Sequence, residues 1–155
     1  MHVNVDFPEK SLPEGHFFAI QHATPELLWK KELLAHANGA TSLAMLTIAV
    51  TDPADFARRL GGILSVEAVG RDERVLTLRA ARVRIVGPGW IAGNIPGKTP
   101  DMPYVAGIGL GVADLGQTAD VLTRNGVDFR RKPDALTVFP ADGCGSFIEF
   151  QPASA

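Results

Sequence analysis

The sequence predicts an α+β fold in which two tandem βαβββ modules build one curved mixed sheet. Helices cover the outer face, and a strand–helix connector precedes the first module. Three observations lead there. An apolar run ending in aspartate occurs twice, as Leu46-Thr47-Ile48-Ala49-Val50-Thr51-Asp52 and as Ile108-Gly109-Leu110-Gly111-Val112-Ala113-Asp114. Each run leads into a short helical pattern stopped by Gly61-Gly62 or Asn125-Gly126, and then into three strand candidates. A segment dense in glycine and proline, residues 87–103, separates the copies. A repeat of this kind constrains the whole topology, because each copy completes the sheet of the other.

The elements follow in order. Residues 1–15 are polar, carry Pro8 and Pro13, and read as an arm. His16–Gln21 is a short aromatic and apolar strand candidate. Thr24-Pro25-Glu26 has the form of a helix start, and the helix carries Leu27, Leu28, Trp29, Leu33 and Leu34 before Asn38-Gly39 stops it. Leu43–Val50 is apolar enough to be buried on both faces. Asp52-Pro53 caps the next helix, with Phe56 and Leu60 four apart on one face. Ile63–Val69, Val75–Arg79 and Arg82–Val86 are the strands that close the first module. In the last of these, Val83 and Ile85 alternate with Arg82 and Arg84, so one face is apolar and the other charged. Tyr104–Val112 opens the second module, and Asp114 caps a helix with Gln117 as its capping-box partner. Leu115, Ala119 and Leu122 make the buried stripe of that helix. Val127–Arg130, Ala135–Phe139 and Ser146–Gln151 complete the copy. The expected division is residues 1–40 for arm and connector, 41–100 for the first module with its linker, and 101–155 for the second.

Composition narrows the functional classes. The 155 residues can bury roughly two-thirds of their unfolded surface without staples. One cysteine excludes an internal disulfide and an all-cysteine zinc site. A net charge of −2 gives no nucleic-acid footprint. No run approaches the ~18 apolar residues of a membrane span, and the charged start is not a secretory signal, so a cytoplasmic domain is the default. No phosphate loop, dinucleotide fingerprint, nucleophile elbow or His-Glu-x-x-His motif is present.

The repeated βαβββ unit, the two strand-to-aspartate runs and the closing Asp142-Gly143-Cys144-Gly145-Ser146-Phe147-Ile148-Glu149-Phe150 resemble the vicinal oxygen chelate superfamily. That group includes glyoxalase I, the bleomycin-resistance proteins and the extradiol dioxygenases. Residues 16–40 are similar to a connector that follows an additional N-terminal module in longer glyoxalase-like proteins, which makes this chain a short relative or a C-terminal half. The resemblance implies a cup formed by the two modules. Metal-dependent members hold a divalent ion there, with a first-strand ligand seven residues before the capping aspartate and a glutamate on the last strand. Here those positions fall on Met45, Gly107 and Glu149, with Arg84 at the position matching Glu149 in the first module. One ligand in four is kept, so the resemblance implies loss of the usual metal site and of glyoxalase I-type chemistry. The expectation is a domain without cofactor.

Arg84 is a candidate for binding an anionic group, since guanidinium donors match a carboxylate. Glu149 is a second candidate, with pairing to Arg84 across the cup as its structural alternative. Gly107, Gly109 and Gly111 alternate along one strand, and bare backbone there means close approach of a ligand, a packed side chain or a second subunit. Met45 and Gly107 line the expected cup wall, and Trp29 and Trp90 are candidates for an apolar cleft. A rearranged site for zinc, iron, manganese or nickel from His22, His36 and Glu149 is the metal alternative. Cys144 between two glycines, with no base nearby, belongs to a turn. Three readings stay open: a metal-free binding module for a small oxygenated or anionic metabolite, a metal-dependent lyase, isomerase or dioxygenase, and a structural half of a larger enzyme. In the last reading the Phe17–Gln21 strand is an open edge that invites a second chain, and a homodimer is expected.

Overall fold

The computed structural model describes residues 2–8, 10–30 and 34–153. It is α+β. Strands β1 (His2–Asp6) and β2 (Phe18–His22) form an antiparallel hairpin. Strand β3 (Ala40–Ala49), helix α1 (Pro53–Leu64), β4 (Glu73–Thr77) and β5 (Arg82–Val86) make the first half. A short helix, α2 (Pro88–Asn94), leads to the second half: β6 (Tyr104–Val112), α3 (Leu115–Arg124), β7 (Phe129–Lys132), β8 (Ala135–Val138) and β9 (Phe147–Pro152). Seven strands form one mixed sheet in the order β4-β5-β3-β6-β9-β8-β7. The halves meet where β3 pairs antiparallel with β6, and each half adds its last strand parallel to its first, β5 on β3 and β9 on β6. Thr47 lies opposite Arg84 as Gly109 lies opposite Glu149, so the register itself repeats between halves.

Both principal helices start as their sequences dictate. The Asp52 carboxylate accepts from the N–H groups of Ala54 and Asp55 at 3.1 and 3.0 Å. Asp114 accepts from Gly116 and Gln117 at 2.6 and 3.1 Å. These bonds satisfy orphan amides at positions where carboxylates also suit the helix dipole. Phe56, Ala57 and Leu60 of α1 pack on Ile48, Val50, Leu76, Val83 and Ile85. Ala119 and Leu122 of α3 pack on Val112, Leu136, Val138 and Phe150. Neighbouring residues on a strand face opposite ways. Ala49, Val86 and Phe147 therefore point to the other side of the sheet, where Ile91 and Ile95 cover them.

Several expectations are corrected. The N-terminal arm contains β1, which covers one edge of β2, so that edge is not open. The hairpin loop is no free arm either: Leu12 is 1% exposed and sits in the core of the first half, with Phe7 and Phe17 beside it. The helix expected after Thr24 is a single 3-10 turn, Pro25–Leu27, which Thr24 does not cap through its side chain. Among the described residues Leu27, Leu28, Trp29 and Leu34 are exposed and form no buried stripe to hold a longer helix; Leu33 lies outside the described residues. Helix α1 runs through Gly61-Gly62 and ends at Ser65 in the left-handed region. Gly61 is needed for a different reason, since a Cβ there would lie 2.5 Å from the Val66 carbonyl oxygen. The Ile63–Val69 strand is absent: Ile63 and Leu64 belong to α1, and Val69 keeps only a single bridge to Val75. Within the expected linker, α2 buries Ile91 against the sheet.

The loop is fastened to α1 by Arg59, whose guanidinium pairs with Glu14, donates to the Ser11 carbonyl at 2.7 Å and bonds Asp55 at 2.8 Å. The Arg59 hydrogen bond holds the Glu14 carboxyl below its ordinary value, against a smaller opposing effect of burial. A carboxylate with a depressed folded-state pKa stabilises the fold above its unfolded value of about 4.3, and that stability is lost as pH falls through the lowered value. Glu14→Gln should therefore lower stability by on the order of 1–2 kcal/mol at pH 7 and by little near pH 2. Urea denaturation at the two pH values checks this, and an equal loss at both would contradict it.

Candidate binding cup

The inner face of the sheet, bounded by α2, carries a partly open cavity of about 190 Å³. That is the volume of roughly six waters at ~30 Å³ each and small beside drug-sized pockets, so it suits a small metabolite. Arg84 from β5, Glu149 from β9, Glu73 from β4, and Arg130 and Lys132 from β7 contribute charge. Trp90, Ile95, Phe139 and Phe147 contribute apolar wall. A larger groove of about 520 Å³ beside α1 is open to solvent and lined mainly by alanine and glycine, without an enclosed charged group.

Arg84 organises the cup. Strands β5 and β9 are separated by β3 and β6, which would place them roughly 14 Å apart in a flat sheet. The Arg84 and Glu149 side chains nonetheless meet at 3.5 Å, because the sheet curves and both point inward. They occupy equivalent positions in the two halves, so the pair spans the axis of the repeat. Glu73 approaches Arg84 Nε at 3.4 Å, without hydrogen-bond geometry. The guanidinium carbon lies 5.6 Å from the Trp90 ring centroid. The Arg84 and Glu149 side chains are 14% and 18% exposed, so their attraction is screened less than that of a surface pair. Two polar atoms on this face, Arg84 Nε and Thr47 Oγ1, are buried without a hydrogen-bond partner. Arg130 stacks over Phe139 at 4.7 Å. Among the described residues neither Arg130 nor Lys132 has a carboxylate within ion-pair distance.

The structure brings Arg84, Glu149 and Trp90 to the cavity and leaves Met45, Gly107, Trp29, His22 and His36 outside its lining. Met45 is buried, and its Cβ lies 2.7 Å from where a Gly109 Cβ would stand. The Phe147 ring fills the space over Gly107, at 2.6 Å from its absent Cβ, and Ser42 fills that over Gly111. The glycines thus admit packed side chains of neighbouring strands. Trp29 is 62% exposed in the N-terminal segment, and of the two tryptophans it is Trp90 that lines the cup. His22 and His36 are exposed, and among the described residues no three His, Cys, Asp or Glu side chains converge. Cys144 stands exposed in its turn at φ 55°.

The donor set does not fit a divalent ion. Of the four positions to which the resemblance points, Met45 is a buried thioether, Gly107 has no side chain, Arg84 is a cation and Glu149 alone supplies oxygen. A hard or borderline cation needs several oxygen or imidazole donors, and the guanidinium repels it. The sequence reading missed Glu73, Arg130 and Lys132. Alternation places Arg130 and Lys132 on one face of β7, a period-two signal visible in Arg130-Arg131-Lys132 once the strand is known.

No protein-family model matches the chain, and no curated protein does. Solved structures do. Methylmalonyl-CoA epimerase from Mycobacterium tuberculosis superposes with a TM-score of 0.57 at 20% identity, over 77% of this chain and 93% of that one. A Streptomyces coelicolor methylmalonyl-CoA epimerase variant with 2-nitronate-propionyl-CoA gives 0.56 at 18%, over 75% and 96%. A hypothetical protein from Bacillus halodurans C-125 gives 0.55 at 17%, over 74% and 95%. The fold is a glyoxalase-like fold, shared with these methylmalonyl-CoA epimerase structures. Among the described residues no helix is long and apolar enough to cross a membrane.

Proposed function

We propose that this protein is a metal-free, glyoxalase-fold binding protein that holds a small anionic metabolite in the cup. The observation that carries the reading is the charge of the cavity: three cations, Arg84, Arg130 and Lys132, against two carboxylates, Glu73 and Glu149. The β7 cations Arg130 and Lys132 line the cavity and lack carboxylate partners among the described residues, so donors remain for an incoming anion. The mismatched donor set supports the absence of a metal role. Epimerases of similar fold with methylmalonyl-CoA or its nitronate analogue bound support the cup as a small-molecule site.

Titration calorimetry with acetate, phenylacetate and inorganic phosphate tests this. At least one anion should bind saturably, with affinity falling as salt rises because the β7 cations are exposed. No saturable binding by any of the three overturns the reading.

The same proposal includes a homodimer. Val5, Phe18, Ile20, Leu27, Leu28 and Trp29 leave apolar area exposed in the N-terminal region, and a two-stranded hairpin is marginal without support. Light scattering over a broad concentration range should give twice the chain mass, reduced by Phe18→Ser with Trp29→Ser. A monomer throughout would contradict it.

A further inference from the structure

Resting on the homodimer of that reading, we infer that two copies join edge to edge through β2, about a twofold axis, into one antiparallel sheet in the order β1-β2-β2-β1. Among the described residues four strands leave an edge unpaired: β1 and β2 in the hairpin, β4 and β7 in the main sheet. Proteins guard such edges with charge or by closing the ladder. β7 presents Arg130, Arg131 and Lys132, which would meet the same cations in a second copy. β4 carries Glu73 and Arg74, and its Val75 is already bonded to Val69 in both directions, at 2.8 and 3.0 Å. β1 ends in Asp6. β2, Phe18-Ala19-Ile20-Gln21-His22, has no aspartate, glutamate, lysine or arginine, and all of its residues are exposed.

The register shows which backbone groups are free. The Phe7 N–H donates to the Phe17 carbonyl at 3.0 Å, and the ladder continues with Asp6 opposite Phe18 and Val5 opposite Ala19. Bonded and non-bonded pairs alternate along an antiparallel ladder. The N–H and C=O of Ala19 and Gln21 therefore point at β1, and those of Phe18, Ile20 and His22 point to the open edge. A second β2 laid antiparallel with Ile20 on the axis sets Ile20 opposite Ile20 and Phe18 opposite His22. Each outward N–H then meets an outward carbonyl, and no acidic or basic side chain of β2 meets its like. The contact is self-complementary, as a twofold interface requires. Phe18 and Ile20 share one face of the strand and are about half exposed, and pairing joins those of both copies into one apolar stripe. Four strands also relieve the marginal stability of a lone two-stranded ribbon. Leu12 in the core and Arg59 on the Ser11 carbonyl fix the loop end of the ribbon to α1, which holds β2 in place for a partner.

Light scattering, cross-linking and amide exchange test the mode of pairing. Ile20→Lys sets two cations opposite each other on the axis. Ile20→Pro removes an N–H that the β1–β2 pairing does not use. Both should turn the dimer into a monomer, and Ile20→Lys should leave thermal unfolding of the main sheet unchanged. In a Cys144→Ser background, Ile20→Cys should give a disulfide-linked dimer on oxidation with diamide, since opposite residues of a bonded pair have Cα atoms about 5.5 Å apart. Val5→Cys in the same background, similarly exposed but on β1, should not. The amides of Phe18, Ile20 and His22 should exchange about tenfold or more slowly in the dimer than in Ile20→Lys. A dimer that persists in Ile20→Lys, or equal cross-linking from Ile20→Cys and Val5→Cys, overturns the β2 pairing and leaves the homodimer reading standing. A wild-type chain that stays monomeric at all concentrations overturns the homodimer reading and the pairing together.

Discussion

Replacing Phe147 with alanine should destabilise the fold by about 3–5 kcal/mol, the range for emptying an aromatic site in a packed interior. The ring is 2% exposed and packs with Ala49, Val86, Ile91, Ile95 and Ala106, its centroid 6.2 Å from that of Trp90. It is the contact through which α2 rests on the sheet and through which the inner wall of the cup is closed. It also occupies the space over Gly107, where any Cβ would stand 2.6 Å from three ring atoms. The two positions are therefore coupled. Gly107→Ala alone should be destabilising, while Gly107→Ala in the Phe147→Ala background should be close to neutral, because the clash is gone and part of the void is filled. Chemical denaturation of the four proteins gives the coupling energy. A loss under 1 kcal/mol for Phe147→Ala, or additive effects in the double variant, would contradict this packing.

Arg84→Met should abolish saturable anion binding and lower stability by about 1–3 kcal/mol. Methionine keeps much of the stem that lies beneath Trp90 but removes the cation between Glu73 and Glu149. Two carboxylates then share a recessed site without a counter-charge, and repel the ligand's own. Adding Glu149→Gln should recover part of the stability, since one of the opposed charges is removed, but none of the binding. Thermal unfolding and calorimetry on the single and double variants separate these effects. Undiminished anion affinity in Arg84→Met would remove Arg84 from the site.

Much of the architecture was legible because it rests on local rules. Asp52 and Asp114 announce their helices by side-chain chemistry that acts within three residues. The alternation Arg82-Val83-Arg84-Ile85 assigns faces to β5 without further information, and the structure agrees. Matching the two copies position by position made Arg84 and Glu149 equivalent and offered their pairing as the alternative to a binding role for Glu149; the repeated register explains why the match holds and the two side chains do meet.

What was not legible depends on tertiary contact. The helical pattern after Thr24 has leucines, but Leu27, Leu28 and Leu34 bury on no surface, and among the described residues one turn forms. Residues 87–103 looked like a linker because glycine and proline dominate, yet Pro88 at the first turn is compatible with a helix, and Ile91 and Ile95 find the inner face of the sheet. The alternating glycines signalled close approach correctly, but sequence could not say that Phe147, Met45 and Ser42 were what approached. Trp29 and Trp90 were equivalent as residues, and only the path of the chain puts Trp90 at the cup and Trp29 on the surface.

The proposal that a guanidinium, without a metal ion, holds the ligand in this cup is tested most directly by elemental analysis of protein purified without chelator, joined to anion titration before and after treatment with EDTA. The account predicts divalent metal well below one equivalent and an anion affinity unchanged by the chelator. One equivalent of zinc, iron, manganese or nickel that EDTA removes together with binding, and that Glu149→Gln fails to retain, would contradict it.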